Sequence, residues 1–290
     1  LLETFPDSGR TGYLLRRTFD EVTQVVDELY DELSVSAFRP KFCELEFSAR
    51  GALPGVAFAG ERCRGVVEGF VDRVDVWQSG GRPYVRVVDY KTGKKSFDYT
   101  NVLHGRGLQM LLYLFALVRQ GGHLLHGEPL PAGVLYFPAR IERVSVRDRL
   151  AQAEIEKERR KQLRRSGVLL NSDPVLEAME PCGGSPRFLP YALDKEGRKT
   201  GDLASFAQLA QLERFVFRTV AALGDELAVD EFDGADVKTA GRLHGDEQLR
   251  VLVDLAGDDG LLLVAAGHAA RRGDGALAGA HVVLLDEAVG

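Results

Sequence analysis

The chain has 290 residues, a formal net charge of −6, and hydrophobic side chains at 45% of its positions. A chain of this length forms one large domain or two small ones with a hydrophobic core. Its negative net charge excludes nucleic-acid binding that depends on the overall charge of the protein. There is no apolar stretch long enough to span a bilayer and no secretory leader, so we expect a cytoplasmic protein.

The first element that the sequence predicts is an amphipathic helix. Five apolar side chains recur at the three- and four-residue spacing of one helical face, and we expect that face to cover a sheet. A short strand follows, in which Cys43, Leu45 and Phe47 share one face while Glu44 and Glu46 share the other. The residues of the helical face are Phe19, Val22, Val26, Leu29 and Leu33.

The next two strands form a predicted hairpin. They run from Val66 to Trp77 and from Tyr84 to Lys91, and Gly80-Gly81 between them suits a two-residue type I′ turn. Counting outwards from that turn sets the register of the antiparallel pair. The predicted pairs are Ser79 with Arg82, Trp77 with Tyr84, Val76 with Val85, Asp75 with Arg86, Val74 with Val87 and Asp72 with Asp89.

One face of this hairpin carries unusual charges. Alternation places Asp89 and Lys91 on the same side as Val87, which is expected to face the interior. An acid and a lysine on a core face cost several kcal/mol unless a metal or a partner compensates, so their presence there suggests function. Asp72 would lie opposite Asp89 with Cβ atoms roughly 4.5 to 5.5 Å apart, close enough for both carboxylates to bind one cation. Asp75 is expected on the reverse face.

An apolar helix, LQMLLYLFALV, follows the hairpin. It presents Gln109 and Tyr113 four residues apart on one face, where they are able to line a groove together. This helix connects the second strand of the hairpin to a strand from Val134 to Phe137. A helical crossover of this kind implies that those two strands are parallel. A charged helix is expected near Arg147 to Arg165. A final amphipathic helix is lined by Phe206, Leu209, Leu212, Phe215, Val216, Val220 and Leu223.

The ordered set GFVDRVD, VVDYKTG and LQMLLY resembles the PD-(D/E)xK nucleases of the RecB/AddB type, and more narrowly the C-terminal nuclease domains of the AddB subgroup. The resemblance runs from about Leu14 to about Asp230. It implies an α/β fold with a restriction-endonuclease-like core, in which helices flank a mixed central sheet. We expect residues 1–234 to form this domain, whereas residues 235–290 form a C-terminal segment that we do not recognise.

The same resemblance assigns roles to individual residues. It makes Asp72 and Asp89 metal ligands, Lys91 the catalytic lysine, and Gln109 and Tyr113 the helix motif of the family. It also matches Glu44 with an upstream acid that would bind the metal, although either glutamate of that strand could equally be a solvated side chain. The metal implied is Mg²⁺ or Mn²⁺.

The activity implied is metal-dependent hydrolysis of DNA, by an exonuclease in preference to an endonuclease. Such a domain would process double-strand ends for recombinational repair, with DNA and a helicase of the AddA type as partners. The chain begins with Leu1, and its methionines are Met110 and Met179, so we expect a piece of a longer polypeptide that lacks an N-terminal part. One alternative is a degenerate nuclease fold that binds DNA ends or a helicase without cutting. A second is a free-standing restriction-type endonuclease.

Basic residues suggest two surfaces for phosphate. Lys94, Lys95 and Arg106 flank the proposed site. A second group on the charged helix would either contact phosphates or form a solvated face balanced by neighbouring glutamates. Its members are Lys157, Arg159, Arg160, Lys161, Arg164 and Arg165, and the glutamates are Glu154, Glu156 and Glu158.

Cysteine usage differs from that of the subgroup, in which many members bind an iron-sulfur cluster through four cysteines. Here Cys43, Cys63 and Cys182 are scattered, and there is no C-x-x-C pair. The six histidines also lack the spacing of metal ligands. We therefore expect no iron-sulfur cluster in this chain.

Overall fold

The computed structural model describes residues 9–93, 96–140, 152–232 and 249–255. The chain divides into two compact units. The first unit comprises Leu1–Arg39, Asp89–Phe97 and Leu135–Leu203. The second comprises Pro40–Val88, Asp98–Val134 and Ala204–Gly290.

The strands belong to one large sheet and one small one. They are β1 (Arg39–Phe47), β2 (Val56–Ala59), β3 (Cys63–Ser79), β4 (Arg82–Lys91), β5 (Leu130–Pro138), β6 (Ser166–Leu170), β7 (Tyr191–Leu193), β8 (Lys199–Gly201), β9 (Leu203–Ala204) and β10 (Leu249–Leu255). The large sheet has the order β1-β3-β4-β5-β6-β9, and β2 and β10 also pair with β3. The small sheet pairs β7 with β8.

Helix α1 precedes β1, and the other helices lie between strands in the chain. They are α1 (Gly9–Val35), α2 (Tyr99–Leu103), α3 (Gln109–Gln120), α4 (Gly122–Leu125), α5 (Gln152–Leu163), α6 (Asp173–Met179) and α7 (Phe206–Phe232). The predicted α/β class with a mixed sheet is confirmed. Within the ranges that the structure describes, we find no helix whose length and apolarity would let it cross a membrane.

The hairpin of β3 and β4 has the predicted register. Its turn places Gly80 at φ 57° and Gly81 at φ 74°, the positive values that a type I′ turn requires. The observed pairs run without interruption from Ser79 opposite Arg82 to Arg73 opposite Val88. Turn chemistry and strand alternation were therefore sufficient to predict this part of the fold.

Helix α1 is confirmed, but of its predicted apolar face only Leu29 and Leu33 are half-buried. Phe19, Val22 and Val26 are 70%, 54% and 54% exposed. Glu28 and Glu32 are buried instead, at 6% and 1%. These two acids form ion pairs with arginines of the first unit, and this pairing sets the rotation of the helix about its axis. The apolar periodicity alone pointed to a different face.

Strand β1 also departs from the predicted alternation. Leu45 and Phe47 are buried as expected, at 5% and 0%, but Cys43 is exposed. The reason is Glu44, whose backbone has a φ of 52°. A left-handed residue inside a strand interrupts the two-residue period, so side chains before and after it no longer share a face.

Helices α3 and α7 belong to the second unit, which also contains α2 and α4. Every residue of α3 from Gln109 to Leu117 is buried, and α7 contributes the buried side chains of Leu209 and Val216. Arg119 of α3 joins the two helices through an ion pair to Glu213 of 2.6 Å. The predicted amphipathic C-terminal helix is thus confirmed.

Two expectations fall partly outside the described residues. The charged helix is observed as α5, and its predicted beginning at Arg147 precedes the described residues. The expected domain boundary near Gly234 also lies outside them and stays a prediction. Part of the unrecognised segment forms β10, which pairs antiparallel with β3 from Leu249 opposite Gly69 to Leu255 opposite Cys63.

Candidate active site

The end of β4 brings together the acid and the lysine that the sequence singled out. The Nζ atom of Lys91 lies 3.0 Å from Oδ2 of Asp89. The two side chains are 20% and 11% exposed, so the ion pair is largely shielded from water. The carbonyl of Lys91 accepts a hydrogen bond of 2.8 Å from the amide of Ala139, which fixes the strand end. This pair supplies a positioned ammonium next to a carboxylate.

The residue between them points the other way. The ring of Tyr90 packs on that of Phe137, with centroids 5.2 Å apart and planes inclined by 54°. This ring contact lies on the reverse side of the strand end, where Tyr90 is half-buried. It is consistent with the predicted alternation, in which Asp89 and Lys91 share one face.

Asp72 lies in β3 within the second unit and is half-buried. Its neighbours Val71 and Arg73 are 2% and 3% exposed. The observed register ends at Arg73 opposite Val88, and Asp72 and Asp89 are the next residues along the two strands. The assignment of Asp72 as a metal ligand stays a prediction.

Gln109 and Tyr113 begin helix α3. Both are buried, at 6% and 1%. The ring of Tyr113 stacks on Phe47 of β1, with centroids 5.2 Å apart and an interplanar angle of 20°. The ring thus packs α3 against β1, and a groove-lining role for the two side chains stays a prediction.

The two glutamates of β1 differ in their surroundings. Glu44 is exposed, and its left-handed backbone sets its direction. Glu46 accepts a hydrogen bond of 2.7 Å from the hydroxyl of Ser48. Metal binding by Glu44 therefore stays a prediction, whereas Glu46 has a local structural partner.

A buried ionic cluster lies on the reverse face of the hairpin. Asp75 and Arg86 are both 0% exposed, and their carboxylate and guanidinium approach to 2.6 Å. Arg73 adds a second guanidinium 2.8 Å from Asp75. The sequence predicted the Asp75–Arg86 pair but treated it as an ordinary cross-strand pair. Val88 beside Val87 was the signal that both faces of β4 are buried.

Two basic residues that follow α5, Arg164 and Arg165, make contacts within the fold. The side chain of Arg165 is fully buried, contacts Glu32 at 2.6 Å, and lies 4.0 Å over the ring of Phe137. Arg164 donates to the carbonyl of Leu189 at 3.0 Å. The suggestion that Arg165 contacts phosphate is therefore wrong, whereas for the exposed Arg164 it stays a prediction. Lys161, on the helix itself, pairs with a neighbouring glutamate at 2.5 Å, which favours the solvated-face alternative.

The three cysteines have unlike environments. Cys43 is exposed, Cys182 is half-buried and Cys63 is buried. Burial raises the pKa of the Cys63 thiol to about 11, and the hydrogen bond and negative charge of Asp225 act in the same direction. A thiol with this pKa is neutral at pH 7 and is a poor nucleophile and metal ligand.

The chain is similar to known nucleases over most of its length. The PD-(D/E)XK nuclease superfamily matches residues 2–233. An ATP-dependent helicase/deoxyribonuclease subunit from Moorella thermoacetica is 36% identical over 214 residues, which are 72% of this chain and 19% of that protein. The corresponding protein from Symbiobacterium thermophilum is 33% identical over 236 residues, which are 79% of this chain and 20% of that protein. The chain thus spans about a fifth of the length of the relatives it matches.

Proposed function

Because the chain belongs to the PD-(D/E)XK nuclease superfamily, we propose that it is the nuclease domain of a helicase-nuclease that hydrolyses phosphodiester bonds in DNA. The observation that carries this proposal is the Asp89–Lys91 pair, whose carboxylate and ammonium lie 3.0 Å apart at the end of β4. An Asp-x-Lys triplet at this point is the motif that gives the superfamily its name. A helicase partner is proposed from the names of the relatives, and its AddA type from the resemblance to the AddB subgroup.

The proposed cofactor is Mg²⁺ or Mn²⁺, bound by Asp72 and Asp89. Among the residues that the structure describes, no group of three or more His, Cys, Asp or Glu side chains is arranged to hold a metal. Two carboxylates with water and phosphate oxygens fit Mg²⁺, a hard cation that keeps several waters and seldom takes an all-protein cage. When bound, the cation supplies a Lewis acid that polarises the phosphate and activates water.

The residues of the chain have separate tasks in this proposal. Lys91 holds its ammonium beside Asp89, where it orients the attacking water and neutralises the negative charge that develops on the phosphorane. The attack is in line and expels the 3′ oxygen. Gln109 and Tyr113 are proposed to position the substrate from the start of α3, and Glu44 to add a third carboxylate.

The proposal is tested by incubating the purified chain with linear duplex and single-stranded DNA in Mg²⁺, with the Asp89→Ala variant alongside. We expect the wild-type chain to cut and the variant not to cut. Exonuclease action predicts that a closed circular duplex survives while a linear one is degraded. A wild-type chain that binds DNA ends but is as inactive as the variant would favour the non-cutting alternative.

Metal choice provides a further prediction. We expect Mg²⁺ and Mn²⁺ to support cleavage and Ca²⁺ to support it poorly, because Ca²⁺ accepts a looser geometry with more oxygen ligands. The measurement is the initial rate of cleavage at equal concentrations of each chloride salt after treatment with a chelator. Equal rates in Ca²⁺ and Mg²⁺ would contradict the proposed chemistry.

The cysteines lead to a prediction about iron. We expect the purified chain to be colourless and to contain no iron, because the buried Cys63 thiol has a raised pKa and the other two thiols are far apart in sequence. Iron and acid-labile sulfide are measured after anaerobic purification. Stoichiometric amounts of both would show that this interpretation of Cys43, Cys63 and Cys182 is wrong.

A further inference from the structure

Helix α2, in the second unit, presents two large apolar side chains to solvent. Tyr99 is 43% exposed and Leu103 is 66% exposed, and they lie four residues apart on one face of the helix. Single exposed apolar side chains are normal on a protein surface, whereas an aromatic and an aliphatic one that stand together suggest a binding surface. We define the α2 platform as this pair together with Arg106, which is exposed in the turn that follows the helix.

The backbone beneath the α2 platform is held in place at both ends of the helix. Asp98 caps the start of α2 by accepting a hydrogen bond of 2.8 Å from the amide of Thr100. Val102, on another side of the helix, is 3% exposed and anchors α2 in the core. The chain then turns back, and the amide of Arg106 donates to the carbonyl of Asn101 at 2.8 Å.

The turn after α2 also packs on α7, which belongs to the same unit. Gly105 in this turn has a φ of 71°, and a Cβ atom added to it would lie 3.5 Å from side-chain atoms of Leu223 and Thr219. A glycine is therefore needed here for the positive φ, and it lets the turn approach α7 closely. Because the backbone is anchored before a ligand arrives, binding to the exposed side chains requires little further ordering of the chain.

The size of the α2 platform decides between a protein and a smaller ligand. A stable protein–protein interface buries about 800 Å² on each partner and draws on roughly 20 residues a side. Two apolar side chains on a helix of 5 residues are too few for such an interface. They match one or two nucleic-acid bases, because a base stacks on a tyrosine ring and packs against an apolar side chain. The guanidinium of Arg106 suits the adjoining phosphate.

The same contacts distinguish unpaired from paired nucleotides. In a duplex each base is stacked between its neighbours, so its face is not available to a protein side chain. A single strand offers these faces without the cost of unstacking. The α2 platform also lies in the chain just before Gln109, which is proposed to position the substrate. Its expected ligand is therefore single-stranded DNA.

We propose that Tyr99, Leu103 and Arg106 bind unpaired nucleotides of DNA, with bases against the two apolar side chains and a phosphate against the guanidinium. This inference rests on the proposed function, which makes DNA the ligand. It goes further in naming residues, apart from the Asp89–Lys91 pair, through which the chain binds single-stranded DNA in preference to duplex DNA.

The test measures DNA binding in EDTA, where no metal ion supports cleavage. Fluorescence anisotropy gives the affinity of the chain for a labelled thymidine oligonucleotide and for a blunt duplex with G·C ends. We expect the platform double variant, Tyr99→Ser with Leu103→Ser, to bind the oligonucleotide about tenfold more weakly, as when a base loses its stacking partner. Its affinity for the duplex stays unchanged. Both side chains are exposed, so its melting temperature is retained.

Salt separates the base contacts from the phosphate contact. Stacking involves no counterion release, so the loss in the platform double variant is expected to be the same at about 50 mM and about 200 mM KCl. Arg106→Gln is expected to reduce the slope of log affinity against log salt concentration by about 0.7, the value for one phosphate of a single strand. A loss in the double variant that vanishes at the higher salt concentration would overturn the assignment of base contacts.

The matched control is Val26→Ser with Tyr30→Ser. These two residues are likewise an aliphatic and an aromatic side chain four residues apart on one helix, α1, and they are 54% and 73% exposed. We expect this control to bind both DNAs as the wild-type chain does. Arg214→Gln, at an exposed arginine of α7, is the control for Arg106→Gln. Tyr99→Phe keeps the ring and is expected to retain wild-type affinity.

Failure of this inference and failure of the proposed function give different results. A wild-type chain that binds no DNA in EDTA and cuts none in Mg²⁺ would overturn the proposed function. A wild-type chain that cuts DNA would leave the proposed function in place. In that case the inference is overturned if the wild-type chain does not bind the oligonucleotide, if the platform double variant binds it with unchanged affinity, or if that variant loses equal affinity for the duplex.

Discussion

Replacing Lys91 by alanine, or Asp89 by asparagine, abolishes DNA cleavage while the chain remains folded. The two side chains form an ion pair of 3.0 Å that is largely shielded from water, and neither change removes an apolar side chain from the core. The proposed chemistry depends on both groups, because the ammonium neutralises charge that develops during phosphoryl transfer. Loss of one such group costs about 10²- to 10³-fold in rate.

The measurement compares cleavage rates of linear duplex DNA with the circular dichroism spectrum and melting temperature of each variant. Lys195→Ala is the matched control, since Lys195 is an exposed lysine in the turn between β7 and β8. We expect this control to cut at the wild-type rate. Wild-type cleavage by Lys91→Ala or Asp89→Asn would refute the assignment of the site.

The β3–β4 hairpin shows what local rules predict well. A Gly-Gly turn and two-residue alternation gave the register from Ser79–Arg82 to Arg73–Val88, as observed. The Asp89–Lys91 pair follows from the same alternation, since residues two apart in a strand project from one face. The candidate residues at the end of β4 could therefore be found from the sequence because they depend on neighbours in the chain.

Helix α1 and strand β1 show where such rules fail. The apolar stripe of α1 that contains Phe19 is exposed because ion pairs made by Glu28 and Glu32 decide which side is buried. These contacts join residues more than a hundred positions apart, so no local period reveals them. In β1 the exception is a single left-handed residue, Glu44, which changes the phase of the strand.

The ionic cluster of the hairpin was missed for a different reason. Its pairing was predicted correctly, but its burial depends on what packs over the reverse face of β3 and β4. Charged residues are seldom fully buried, so Asp75 and Arg86 were interpreted as an ordinary stabilising cross-strand pair. An argument from composition cannot show that both members of the Asp75–Arg86 pair are 0% exposed, as is observed.

Removing the guanidinium of Arg165 destabilises the first unit strongly. Arg165 is fully buried, pairs with Glu32 at 2.6 Å and with Glu28 at 3.4 Å, and lies 4.0 Å over the ring of Phe137. Replacement of Arg165 by alanine removes the guanidinium that pairs with two buried acids and leaves a cavity beside the ring of Phe137. Breaking a buried ion pair by removing one partner costs about 3 to 5 kcal/mol.

The matched control for Arg165→Ala is Arg187→Ala, because Arg187 pairs with the same acid, Glu28, at 2.5 Å but is 35% exposed. Solvent screens the charge of Arg187 in part, and Glu28 keeps Arg165 as a partner, so this loss should cost less than that of Arg165. Urea unfolding followed by circular dichroism measures both changes in the free energy of unfolding. Equal losses of unfolding free energy in the two variants would show that burial does not determine how much Arg165 contributes to stability. The ion pairs of α1 would then not explain why the face of that helix with Glu28 and Glu32 is buried.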